Sequence, residues 1–186
     1  GSPALVHCEI PESVRRDEDG RLITSPVRLN SVHVFDLLNY LLPGLSVADA
    51  RLMDPRRPDN GGFMTCSSSR GDLCSISTNW NAPANFSITI DRDGERFELR
   101  PLEIATLYRG MEVIEPSQEV PIRRYVPQAV KKVLPPEHEV KFKPGFVDQA
   151  RALRDALDGK TSPIAARLAD ARVALQFAER MLGLLA

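Results

Sequence analysis

Leu29-Asn30-Ser31-Val32-His33-Val34-Phe35-Asp36-Leu37-Leu38-Asn39-Tyr40-Leu41-Leu42-Pro43-Gly44 is the stretch around which the chain is organised. Val32, Phe35, Leu38 and Leu42 recur at three- and four-residue steps, the spacing of an apolar helix face. Asn30 or Ser31 can cap the start, and Pro43-Gly44 ends the helix. His33 falls in the first turn, where unpaired N–H groups and the helix dipole favour the neutral imidazole that a general base needs. Asp36 and Tyr40 follow at i+3 and i+7, so the three polar residues share one stripe. On these residues alone, a packed and satisfied histidine competes with a catalytic one.

Outward from this helix, the chain reads mainly as short strands. Ala4 to Ile10 is a β-type segment ended by Pro11, and the charged run Arg15 to Gly20 is solvated surface. Ser46 to Met53 and Phe63 to Ser67 follow. Leu73 to Trp80 alternates, with Cys74, Ile76, Thr78 and Trp80 on one face and Ser75, Ser77 and Asn79 on the other. Phe86, Ile88 and Ile90 alternate in the same way, and Asp93-Gly94 is a hairpin turn before Phe97 and Leu99. Leu102 to Tyr108 alternates more weakly, with Met111 to Ile114 extending it. The basic segment from Glu115 to Pro144 carries six prolines at 116, 121, 127, 135, 136 and 144, and reads as a solvated loop.

Two helices close the chain. Phe146, Ala150, Leu153 and Leu157 form one stripe. Ser162-Pro163 opens the second, whose stripe runs Ile164, Leu168, Ala171, Leu175, Ala178, Leu182, Leu185. Both are expected to pack on the sheet. The fold class is therefore α+β: an open, mostly antiparallel sheet of about six strands with helices on one face.

Composition narrows the function. The 186 residues suit one domain, 3–186, with Gly1-Ser2 reading as an expression leader. A hydrophobic content of 42%, a charged content of 26% and a net charge of −1 argue against nucleic-acid and membrane-surface partners. No segment has the length of an apolar membrane span. Cys8, Cys66 and Cys74 are odd in number and lack metal-site spacing, so they read as reduced thiols of a cytoplasmic protein. His7-Cys8 and the distant His138 can meet only through folding, and no metal is expected.

The string from His33 to Gly44 resembles the His-x-x-Asp-Leu…Leu-x-Gly signature of the glucose–fructose oxidoreductase and inositol dehydrogenase (Gfo/Idh/MocA) family. The ending is similar too, in Gly145-Phe146-Val147-Asp148-Gln149, Ser162-Pro163 and Leu168-Ala169-Asp170-Ala171-Arg172. The resemblance implies the C-terminal, substrate-binding domain of an NAD- or NADP-dependent oxidoreductase acting on a sugar, nucleotide sugar or polyol. It implies His33 as the group exchanging a proton with the substrate hydroxyl, with Asn30 and Asp36 near the substrate. Many relatives carry an acidic residue three or four positions before the histidine, where this chain has Asn30 and Leu29. Gly-x-Gly-x-x-Gly is absent from the sequence, so this chain alone is expected to bind no nicotinamide cofactor. A homodimer or higher homo-oligomer through the open sheet is also implied, with either Thr78 and Trp80 or the Ser75-Ser77-Asn79 row in the interface. The alternative reading is a non-catalytic binding or dimerisation module that uses this sheet face.

Overall fold

Val6, Cys8 and Ile10 alternate with Leu5, His7 and Glu9, and this period of two makes Leu5–Ile10 a strand, β1, with its first set buried. A computed structural model describes all residues except 24, 25, 58, 59, 163, 164, 185 and 186, and it places β1 inside an eight-stranded open sheet. The other strands are β2 (Ser46–Leu52), β3 (Gly62–Ser67), β4 (Leu73–Thr78), β5 (Ser87–Arg92), β6 (Glu95–Leu99), β7 (Ala105–Ile114) and β8 (Arg124–Val133). Their spatial order is β2-β3-β4-β1-β5-β6-β7-β8. β1 runs parallel to β4, with Val6 opposite Cys74; its other neighbour, β5, is antiparallel, as are the remaining pairs.

The α+β class and the open, mostly antiparallel sheet are as the sequence implied, but the strands number eight, not six. β8 lies in the segment whose prolines suggested a loop. It is an edge strand, and Pro127 sits opposite Met111 where the register shifts, so its missing N–H breaks no regular ladder.

Four helices accompany the sheet: α1 (Ser31–Leu41), α2 (Glu137–Phe142), α3 (Phe146–Leu157) and α4 (Leu168–Met181). α1 packs against α4, which also contacts β2 and β3. Val34, Phe35 and Leu38 of α1 and Ala174, Phe177, Ala178 and Met181 of α4 are buried. The Phe35 and Phe177 rings stack with centroids 6.0 Å apart. Val34, not the half-buried Val32, completes the inner face of α1. The stripe expected on α4 is displaced as well. Leu168 and Leu175 are exposed, because the helix turns Phe177 toward Phe35 and seats Met181 over Gly62. Pro163, Ile164 and Leu185 lie outside the described residues, and α4 begins at Leu168 rather than beside Ser162. The Asp170 carboxylate accepts the Arg167 N–H at 2.7 Å and closes the first turn. α3 departs further: it packs on α2, and Phe146, Leu153 and Leu157 are exposed.

Local chemistry fixes the turns. Asp93 and Gly94 have φ of 52° and 78°, the paired positive values of a two-residue hairpin that suits the strand twist. Gly61, at φ 95°, lies so close to β4 that an added Cβ would stand 1.9 Å from the Thr78 carbonyl oxygen.

The β3–β4 turn is tied to the start of β1 by Asp72, a fully buried carboxylate. It accepts the Ala4 N–H at 2.8 Å and the Ser68 hydroxyl, and pairs with Arg70 at 2.8 Å. Burial alone would raise its pKa, but these hydrogen bonds outweigh burial and hold the carboxyl below its ordinary 3.8. Asp72→Ala is expected to reduce stability by about 2–4 kcal/mol at pH 7, since it leaves a buried N–H and a guanidinium without their partner. A lowered folded pKa means the contribution is full above 3.8 and lost as pH falls through the folded value. Urea unfolding of both proteins should therefore show curves that converge in acid.

Candidate functional site

α1 makes a site possible through its two unlike faces. With Phe35 and Leu38 buried, helical geometry leaves His33, Asp36 and Tyr40 on the outer side, His33 and Tyr40 exposed and Asp36 half-buried. His33 and Asp36 stand one turn apart, and the imidazole acts on the carboxyl electrostatically. Burial raises the Asp36 pKa above 3.8, and the negative charge of Asp170 on α4 raises it further, while His33 opposes both.

Asn30 occupies the position just before the helix, but its side chain does not cap it. The amide is taken elsewhere: Asn30 Nδ2 donates to Glu12 Oε1 and the Asn30 backbone N–H donates to Glu12 Oε2, both at 3.0 Å. Glu12 is 3% exposed. A buried carboxylate therefore stands behind Asn30, delivered by the segment that follows β1. With Nδ2 engaged there, the Asn30 Oδ1 is left as an acceptor. Sequence reasoning missed Glu12 because the pairing spans eighteen residues and follows no period. The one visible signal was a charged residue just beyond the strand and its closing proline.

A cleft of about 640 Å3 opens between the outer face of α1 and the approach to α4. Asp36, Asn39, Tyr40, Arg167 and Asp170 supply its polar groups, with Leu37 and Pro43 among its apolar ones. The size and the mixed lining suit a small molecule. Asp36 and Tyr40 line the cleft, whereas His33 lies one turn back along α1 and Asn30 is held against Glu12.

The sheet's other face is also settled. Thr78 and Trp80 are buried in the core, so the Ser75 and Ser77 row faces away from the helices. There His7 Nδ1 lies 2.8 Å from the Ser75 hydroxyl, and Arg100 donates to Glu9 at 3.2 Å and Ser87 at 3.0 Å around a depression of about 310 Å3. Arg123, in the basic segment, pairs with Glu115 at 3.0 Å in an exposed position. Among the described residues, no helix is long and apolar enough to cross a membrane.

No protein-family model matches the chain, and neither does any curated protein sequence. Solved structures do. The fold is similar to a dehydrogenase (MviM) from Clostridium difficile, at 12% identity and a TM-score of 0.62, over 99% of this chain and 55% of that one. It is similar to UDP-N-acetylglucosamine 3-dehydrogenase GnnA from Acidithiobacillus ferrooxidans, at 11% identity and a TM-score of 0.61, over 100% and 54%. A levoglucosan dehydrogenase in complex with NADH and levoglucosan matches at 11% identity and a TM-score of 0.59, over 98% and 56%. The chain thus spans about half the length of these proteins, and the resemblance read from its sequence is borne out at the level of the fold.

The setting of Asp36 gives a test on this chain alone. A raised folded pKa contributes stability that is full below 3.8 and lost as pH rises through the folded value. An amide escapes that loss. Asp36→Asn is therefore expected to raise Tm at pH 7 by roughly 1–3 °C, with no advantage below pH 3.8. Paired thermal melts across this range check it.

Proposed function

We propose that residues 3–186 are the substrate-binding and proton-handling domain of an NAD- or NADP-dependent oxidoreductase acting on a hydroxyl of a sugar, nucleotide sugar or polyol. The observation that carries this reading is the end-to-end overlay of the chain on half of several dehydrogenases, two of them named for sugar substrates. A cleft on the His33 helix, lined by both polar and apolar side chains, supports it. The three buried free thiols fit a reducing, cytoplasmic setting.

The sequence offers no Gly-rich phosphate turn, so the dinucleotide would be held by another domain, which would supply the hydride acceptor. The work of this chain is to orient the substrate and take its proton. As hydride leaves the carbinol carbon, the hydroxyl becomes strongly acidic. The His33 imidazole takes that proton, which avoids a protonated carbonyl. Asn30, held by Glu12, accepts a substrate hydroxyl through Oδ1. Asp36 sits beside His33 and steadies the imidazolium that forms. Glu12 thus places a carboxylate behind Asn30, where the sequence just before His33 has none, as a positioning residue.

In the enzyme carrying both domains, His33→Ala is expected to lower kcat by roughly 10²–10⁴-fold, the usual worth of a general base. His33→Asn should be almost as damaging, because an amide keeps a hydrogen bond but takes no proton. Cofactor affinity should change little. Single-turnover hydride transfer measured alongside Tm separates this from a packing role, and wild-type turnover in His33→Asn would end the assignment.

A second reading, self-association through the sheet, is favoured by the β7–β8 ribbon. β8 is exposed along its whole length, and Val113 and Tyr125 stand opposite each other, both exposed. Such a surface is usually covered by a partner. Sedimentation equilibrium at tens of micromolar should show a dimer or larger species, and Val113→Glu with Tyr125→Glu should return it to monomer.

A further inference from the structure

α2 and α3 pack on each other, and neither contains a buried apolar residue. The one buried side chain the pair has is charged: Glu139 is 7% exposed. Its Oε2 accepts the Gly145 N–H, but Oε1 is buried with no hydrogen-bond partner. A buried carboxylate oxygen in that state is destabilising unless a positive group sits beside it.

What sits beside it is a set of potential ligands. His138 Nε2 is 3.6 Å from Glu139 Oε1 and 3.7 Å from Asp148 Oδ1, and the three atoms lie within 4.8 Å of one another. These separations are too long for hydrogen bonds. They approach the ligand-to-ligand spacing of a tetrahedral zinc site, about 3.3 Å when each ligand is about 2.0–2.1 Å from the ion. The corner between the helices brings the groups together, with Lys143 and Gly145 at φ of 77° and 87°. Arg151 competes for part of the site: it lies 2.9 Å from Asp148 Oδ1 and 3.4 Å from His138 Nε2, and leaves Glu139 Oε1 unpaired.

We propose that this corner is a divalent-metal site of the zinc class, with His138 Nε2, Glu139 Oε1 and Asp148 Oδ1 as its three protein ligands and water completing the sphere. One imidazole and two carboxylates form a donor set for Zn2+ or Co2+ rather than the all-oxygen set of Ca2+ or Mg2+. The ion satisfies the orphan oxygen. It also clamps a helix pair that has no apolar core of its own, the situation in which a small element gains most from a metal.

The test uses the whole chain after chelator treatment. Calorimetric titration with Zn2+ should give one site per chain, Co2+ should give the visible absorption of a four- or five-coordinate ion, and saturating Zn2+ should raise Tm. Asp148→Asn should weaken binding at least about tenfold, and the fold is not at risk because this side chain is 61% exposed. His138→Gln and Glu139→Gln should abolish the cobalt spectrum, with circular dichroism confirming a folded chain. Arg151→Ala should tighten binding about two- to fivefold, the worth of the exposed ion pair it removes. Absence of binding, or binding that all four variants leave unchanged, overturns the proposal.

Discussion

The depth at which Phe35 and Leu38 are buried sets the direction of everything else on α1. A helix turns through 3.6 residues, so once Val34, Phe35 and Leu38 are inside, His33, Asp36 and Tyr40 have to be outside. Burying a side chain the size of Phe35 stabilises by about 1.5–3 kcal/mol, and its stacking on Phe177 locks α1 to α4. The polar stripe is positioned by that apolar contact, and the cleft between the two helices is what the contact leaves open. Core packing and site geometry are here one constraint.

Patterns with a short period were legible in the sequence. The alternation of Cys74, Ile76 and Thr78 separates buried from half-exposed positions as read. The Asp93-Gly94 turn is a local matter of φ, and the bounds of α1 follow from its stripe and Pro43-Gly44. What escaped depends on partners far away in the chain. β8 exists because β7 offers it an edge, and a proline at a register shift does not break that pairing. α4 turns Phe177 inward because Phe35 is there, which moves its buried stripe off the leucines. The apolar stripe of α3 had the right spacing, and no surface of the sheet meets it. Among the candidate residues, His33, Asp36 and Asn30 could be nominated from one helical stretch, whereas the contact of Asn30 with Glu12 became visible only when β1 ended beside that stretch.

The helices cover the sheet unevenly. α1 and α4 lie over the end that holds β1 to β4, while β7 and β8 have no described helix packed on them. A domain whose neighbours in structure are nearly twice its length has two surfaces to account for: the cleft at α1 and the ribbon at β7–β8. Their chemistry differs. The cleft mixes titratable and apolar side chains and has the size for a small ligand, whereas the ribbon is broad, with valines and a tyrosine among lysines.

The position of β1 constrains how the fold is reached. The first strand of the chain lies inside the sheet, and its contact through Ala4 with Asp72 closes a loop of 68 residues. Loop closure of that length is entropically unfavourable and slows folding relative to local pairing. The hairpins β3–β4 and β5–β6 and the α1 helix can form from neighbouring residues, but β1 waits until two non-adjacent strands exist to receive it. During synthesis at about 5–20 residues per second, Val6, Cys8 and Ile10 spend seconds without their partners. The most deeply integrated strand of the native sheet is therefore the one exposed longest on the way to it, which makes insertion of β1 the step at which a nascent chain is most open to chaperone capture or mispairing.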